Sequence, residues 1–269
     1  MRHTNQQLDN VSIVWAGKTT MHIETGAVLS DIVLMTNMDN DQLLQAQLKL
    51  NGDVIYDLTG EDLRMIEAYK NPDAIAAGIF IVPFDDLTGR TEDGQNLTGL
   101  VTTAQDKLTL TLKIAAATAQ QTNDGDSPEI AGFIRQRGRL EIGGALEQRV
   151  YVPRKYVLDI DASATGLNNF STFSRGPRIQ RMHMKTANIT NLTIKHNRLE
   201  RWNMSTAQND LMLSRFKRNK QAGYMHFDAI ASGFNLMDSL QTAGKSFEIK
   251  PTVSAAGNIP VLFEVLEAA

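Results

Sequence analysis

Cysteine is absent from this 269-residue chain, so neither disulfides nor thiolate metal sites contribute to its stability or chemistry. Long apolar runs are absent too. Nothing approaches the roughly 18 residues a membrane-spanning helix requires, and the polar stretch Met1 to Asn10 has no apolar h-region. The expectation is a soluble protein made in the cytoplasm. Charge of one sign is scarce: 27 Lys and Arg against 30 Asp and Glu leave a net charge of −3, which gives no drive toward nucleic acid or anionic membrane. Direct nucleic-acid binding is not expected. With two tryptophans and five tyrosines, the aromatic platforms that sugar binding needs are in short supply. The five histidines, His3, His22, His183, His196 and His226, show no His-x-His or His-x-x-x-His spacing, so a catalytic zinc site has no local signal. No Gly-x-Ser-x-Gly elbow and no phosphate loop occur, and no enzyme is expected.

What is present is a pattern written twice. In the stretch Leu48 to Phe84, Leu48 and Leu50 alternate with polar residues, and Asn51-Gly52-Asp53 supplies the positive φ values of a tight turn. The run Val54 to Leu58 then returns as the second arm of a hairpin. Thr59-Gly60-Glu61-Asp62 has capping-box spacing and opens a helix with Leu63, Ile66 and Tyr69 on one face, closed by Pro72. Gly78 then introduces Ile79 to Val82 as a buried strand. The same order recurs from Leu192 to Ile230. Leu192 and Ile194 lead into His196-Asn197, where Asn tolerates a left-handed turn, and Leu199 to Trp202 comes back. Asn203 or Ser205 caps a helix carrying Leu211, Met212 and Phe216, and Gly223 precedes Tyr224 to Phe227. The register between copies holds to one residue across strand, turn, strand, helix and strand. With 42% hydrophobic residues the chain can fill two cores, and the eleven methionines fit as gap-fillers.

Around the two copies, short alternating segments punctuated by Gly, Asn and Pro indicate sandwiches. Leu108, Leu110, Leu112 and Ile114 alternate strictly with polar residues, and the loop Asp85 to Gly99 is long enough to carry function or contact a neighbour. The polar stretch Gln120 to Pro128 is expected to be the domain connection, with Ile130 to Arg135 a short helix after Pro128. The resulting expectation is an all-β chain of two tandem eight-stranded jelly rolls, each with a short inserted helix. The first spans residues 1–125, the connector 126–138 and the second roll 139–269.

This order of elements resembles the double jelly-roll major capsid proteins of tailless, membrane-containing bacterial viruses, above all the corticovirus type. The residues that carry it are Thr19 to Met35 and Leu48 to Tyr69 in the first half, and Ile179 to Leu199, Gly233 to Leu240 and Phe247 to Glu264 in the second. The connector Pro128 to Phe133 adds to it. The resemblance implies a homotrimer whose six domains form a pseudo-hexagon, tiling an icosahedral shell over an internal lipid membrane. It places the chain in the virion, after synthesis in the cytoplasm of a bacterial host. The implied partners are neighbouring trimers and vertex and membrane-associated virion proteins. An alternative from another class is a two-domain β-sandwich carbohydrate-binding or hydrolytic protein, disfavoured by the few aromatics and the missing acid–base signature.

Carboxylate pairs stand at Asp85-Asp86, Glu92-Asp93, Asp124-Gly125-Asp126 and Asp159-Ile160-Asp161. Calcium takes several hard oxygens from a flexible loop, and the resemblance implies calcium-dependent capsids. Asp124 and Asp126 are therefore the metal candidates for a structural calcium ion, although acidic loop pairs are more often solvated turns. The basic run Arg215, Lys217, Arg218 and Lys220 reads as phosphate-seeking, or, with more weight, as cations complementing a helix C-terminus.

Overall fold

In a computed structural model the described residues are all but 1, 2, 9, 10, 72, 74, 92, 93, 96 and 97. The chain forms two compact units: residues 1–68, 73–86 and 96–153, and residues 69–72, 87–95 and 154–269. Pro72 and the Glu92-Asp93 pair lie outside the described residues.

The first unit is built from β1 (His3–Gln7), β2 (Lys18–Ile23), β3 (Val28–Thr36), β4 (Leu43–Leu50), β5 (Asp53–Leu58), β6 (Ile79–Pro83), β7 (Leu108–Ile114) and β8 (Glu129–Arg137). One sheet runs in the order β1-β8-β3-β6 and the other β5-β4-β7-β2, the interleaved antiparallel arrangement of a jelly roll. Helix α1 (Gly60–Lys70) follows β5, and a short helix α2 (Ala119–Asp124) follows β7. The hairpin turn forms for the reason its residues suggest. Asn51 and Gly52 have φ of 54° and 95°, a conformation that joins strands without splaying them. At α1 the Thr59 hydroxyl accepts from the Asp62 amide while the Asp62 carboxylate accepts from the Thr59 amide, a reciprocal cap. Leu63, Ile66 and Tyr69 are buried, and so are the alternating Leu108, Leu110, Leu112 and Ile114 of β7.

The second unit repeats the plan with β9 (Tyr151–Ala162), β10 (Gly166–Leu167), β11 (Arg178–Met184), β12 (Ile189–His196), β13 (Leu199–Ser205), β14 (Met225–Asp228), β15 (Phe247–Val253) and β16 (Gly257–Ala268). Its sheets run β14-β11-β16-β9 and β10-β15-β12-β13. Counting strands one to eight within each unit, both give the orders 1-8-3-6 and 2-7-4-5. Both also place a helix between strands five and six, here α3 (Thr206–Arg215). The β12–β13 turn uses Asn197 and Arg198 at φ of 51° and 67°, and Ser205 caps α3 through a full box with Gln208. Between the sheets pack Met182, Met184, Leu192, Ile194, Phe227, Phe247, Ile249, Val261, Phe263 and Val265, each fully buried side chain contributing about 1.5–3 kcal/mol.

Three expectations are corrected. The stretch expected to be the connector is the eighth strand of the first roll. Residues 129–137 form β8, held between β1 and β3, and residues 119–124 form α2, closed by Gly125 in the left-handed conformation at φ 70°. Burial over this segment alternates, with Ile130, Gly132 and Ile134 inside and Glu129 and Ala131 outside, which is the period of a strand and not of a helix. The join to the second unit falls at Pro153 and Arg154. On α3 the buried residues are Asn209 and Leu213, whereas Leu211 is 65% exposed, because the helix presents a face one position away from the expected one.

Candidate functional site

Strand β11 reads Arg-Ile-Gln-Arg-Met-His-Met and is buried on both faces. Met182 and Met184 enter the core between the sheets, which turns Arg181 and His183 to the opposite face. Register places Arg181 beside Asp228 of β14 on one side and Glu264 of β16 on the other, and His183 beside His226. The face of this sheet turned away from the core between the sheets thus carries a row of ionisable groups, all at 2% exposure or less.

Each charge has a partner, as burial requires. The Arg181 guanidinium donates to Asp228 Oδ2 at 3.0 Å and to the Thr88 hydroxyl at 2.9 Å, and its Nη1 lies 3.7 Å from Glu264 Oε1. Asp228 also accepts from the Tyr69 hydroxyl at 3.1 Å, from Arg218 Nε at 3.2 Å and from the Ile230 amide at 3.0 Å. Glu264 accepts from Lys70 Nζ at 2.8 Å, lies 3.3 Å from Lys155 Nζ, and faces His183 Nε2 at 3.1 Å. Tyr69 lies against both imidazoles, with ring centroids 5.0 Å from His183 and 4.6 Å from His226.

The hydrogen bonds fix the tautomers. The Gln221 amide donates to His226 Nε2 at 3.1 Å, so His226 carries its proton on Nδ1. That proton points at His183 Nδ1, 2.7 Å away, which must accept, and His183 therefore donates from Nε2 to Glu264. Both rings are neutral. Burial, with His183 and Lys220 nearby, pushes His226 down to about 2. Burial lowers His183 as well, against the pull of Glu264. For Glu264 burial alone would raise the pKa, but Lys70, Lys155, His183 and Arg181 overcome it and hold the carboxylate well below its usual range. Burial and the Asp228 carboxylate push Tyr69 well above an ordinary phenol. The arrangement is a saturated network that ties four chain segments to one sheet face, with no nucleophile released for reaction.

The metal candidates lie elsewhere, in the first unit. Asp124 ends α2 and accepts from Gln120 Nε2 at 2.6 Å, and the Asp126 carbonyl accepts the Trp15 indole at 2.9 Å; both aspartates are exposed. Among the described residues no three His, Asp or Glu side chains form a metal-holding group. Asp159 and Asp161 are solvated on β9, whereas Asp85 and Asp86 are buried. In the basic run, Arg218 is consumed by Asp228 and Lys220 pairs with Asp210, so neither a phosphate-seeking nor a helix-terminus role accounts for Arg218. Of the other histidines, His3 faces Ser30 Oγ at 3.2 Å and His196 Nε2 donates to the Ala243 carbonyl at 2.6 Å.

Sequence reading misses the network, although a signal for it exists. Arg181 and His183 alternate with Met182 and Met184, His226 and Asp228 alternate with Met225 and Phe227, and Glu264 is the one charge in Ile259 to Leu266. Charges at strand period inside apolar strands mark a second buried face.

Two family models cover most of the chain. The Viral coat protein P2 N-terminal domain matches residues 5–134 and the Viral coat protein P2 C-terminal domain residues 152–269. Among curated proteins none matches the sequence significantly. Among solved structures, the major capsid protein P2 from Bacteriophage PM2 is similar with a TM-score of 0.84 at 14% identity, covering 100% of this chain and 98% of that one. A chain of Sulfolobus Turreted Icosahedral Virus gives 0.71 at 12% identity, covering 100% and 91%. A chain of the PBCV-1 virus capsid gives 0.65 at 10%, covering 99% and 94%. These low identities speak for the fold, and the two domain matches, in order and on either side of the observed join, speak for the family. The chain belongs to the viral coat protein P2 family and is a major capsid protein of double jelly-roll fold, a structural component of the virion and not an enzyme.

Proposed function

We propose that the protein assembles as a homotrimer in which three copies present six jelly rolls as a pseudo-hexagon, and that these trimers tile an icosahedral shell over an internal lipid membrane. The observation that carries this reading is the repetition of one strand order, 1-8-3-6 and 2-7-4-5, in both units. Two near-equivalent blocks per chain let a threefold oligomer imitate sixfold packing, and closed symmetric oligomers are the usual outcome for such chains. Neighbouring trimers and vertex and membrane-associated virion proteins are its partners on this reading. With a net charge of −3, contact with the genome is not part of it. Sedimentation should give three times the 29.7 kDa chain mass, and micrographs of assembled material should show hexagonal capsomers. A monomer at all concentrations would refute it.

Calcium at Asp124 and Asp126 belongs to the same proposal. Two carboxylates flanking Gly125 supply fewer than the roughly six to eight oxygens calcium takes, so water or a neighbouring copy would complete the shell. Chelation should then lower the melting temperature of assembled material, and it should leave the isolated chain unmoved where a neighbouring copy, rather than water, completes the shell. No response of the assembly removes the metal from the proposal.

A further inference from the structure

The relay from Gln221 through His226 and His183 to Glu264 holds one proton per link. A second proton on either ring has no acceptor. Added to His226 it lands on Nε2, against the Gln221 N–H; added to His183 it lands on Nδ1, against the His226 N–H. The charged groups around the pair make matters worse. Lys70 comes from the end of α1, Lys155 from β9, Arg181 from β11 itself, and Arg218 and Lys220 from the segment after α3. Facing them are Glu264 of β16 and Asp228 of β14, both already engaged, together with the phenol of Tyr69 and Tyr224, whose ring stacks on His226 at 5.6 Å.

The Tyr69–Lys70 turn is what lies over this pair. The Tyr69 ring covers both imidazoles, its hydroxyl is on Asp228, Lys70 reaches Glu264, and the Tyr69 carbonyl accepts from the Asn219 amide at 3.0 Å. We propose that the His226–His183–Glu264 relay is an acid-operated latch, which keeps the Tyr69–Lys70 turn on the outer face of the β14-β11-β16 sheet and releases it when the imidazoles take up protons. Withdrawal of the Tyr69 ring admits water to two imidazolium ions that the closed site cannot solvate. It also frees Glu264 and Asp228 to turn toward the new charge. Lowered pKa values for both rings in the closed state have the sign this requires: the open state binds protons that the closed one excludes. The opening equilibrium therefore rises as pH falls below about 6.5, tenfold per pH unit for one histidine and up to a hundredfold for two.

Hydrogen exchange on the intact protein, corrected for the intrinsic pH dependence of exchange, tests the latch. The amides of Asn219 and Gln221 report on it directly, since they donate to the Tyr69 carbonyl and to His226. Their protection is expected to fall by about eightfold between pH 6 and pH 5 for one ring taking up a proton and by up to about sixtyfold for two, while amides of β12 and β15 keep theirs. Constant protection of Asn219 and Gln221 would overturn the proposal, and so would loss in step with β12 and β15, which marks global unfolding. His226→Gln keeps both hydrogen bonds without a titrating ring and is expected to reduce the pH slope by one proton; an unchanged slope in the folded variant also overturns it. Where that variant does not fold, the wild-type slope and its confinement to these amides decide.

Discussion

Asp85 offers a sharp measurement of what a buried carboxylate costs this fold. It follows β6 in the first unit at 5% exposure, and its Oδ1 atom has no hydrogen-bond partner among the described residues. Burial raises its pKa to about 6, against the pull of the Ser30 hydrogen bond and of Arg135 and Arg137 and with the help of the Asp31 carboxylate. The folded value lies above the ordinary one of 3.8, so the folded chain holds the proton longer. The stability of the protonated form is present below about pH 3.8 and is lost as pH rises through 6. A tenfold difference in proton affinity between folded and unfolded chain is worth about 1.36 kcal/mol, so ionised Asp85 costs about 3 kcal/mol at pH 8 and under about 1 kcal/mol at pH 4. Asp85→Asn keeps the shape, stays neutral and gives the orphaned position a donor. It should stabilise the protein by about 3 kcal/mol at pH 8, with a gain below about 1 kcal/mol at pH 4. Denaturant unfolding of both proteins at the two pH values reads this double difference, from which the titrating groups not coupled to Asp85 cancel. Destabilisation at pH 8, or an equal effect at both values, would refute the reasoning.

Arg181→Met removes the cation shared by Asp228 and Glu264. Since both carboxylates keep other donors, the loss should fall near the low end of the usual range, about 3 kcal/mol, and an unchanged urea midpoint would contradict the network. Gly132→Ala places a Cβ atom 2.1 Å from the Val33 carbonyl oxygen across β8 and β3, where only backbone can give way; a melting-temperature loss equivalent to about 1–3 kcal/mol is expected. Ser205→Ala should cost about 1 kcal/mol by removing the α3 cap, measured by thermal denaturation, with no change in oligomeric state.

How much of the fold is legible in the sequence depends on whether the cause is local. The hairpin, helix and strand repeat can be read because Asn51, Gly52 and Asn197 dictate backbone conformation within two residues, and Thr59 and Ser205 cap helices within three. Strand β8 resembles a connector because its loop signals, Asp124 to Pro128, stand beside it, and because Gly132 interrupts an alternation that Ile130 and Ile134 would otherwise announce. That glycine is required by close backbone approach to β3, which no single segment reveals. The charge network is illegible for a different reason. Arg181, Asp228 and Glu264 are forced together by strand order, and the outer face they occupy is buried by Tyr69, 159 positions from Asp228, and by Thr88, 93 positions from Arg181. A carboxylate pair such as Asp124 and Asp126 is conspicuous in sequence, yet both aspartates are exposed on the surface.

Strand order also constrains how the protein is made. In each roll the eighth strand is not added at a margin but slots between the first and the third, β8 between β1 and β3, and β16 between β9 and β11. As the ribosome delivers the chain, two ribbons with unsatisfied backbone therefore wait on either side of a gap that only the last-synthesised piece of that roll can fill. Each half of this capsid subunit closes in one late step, and until then its most adhesive edges face whatever else is in the cell.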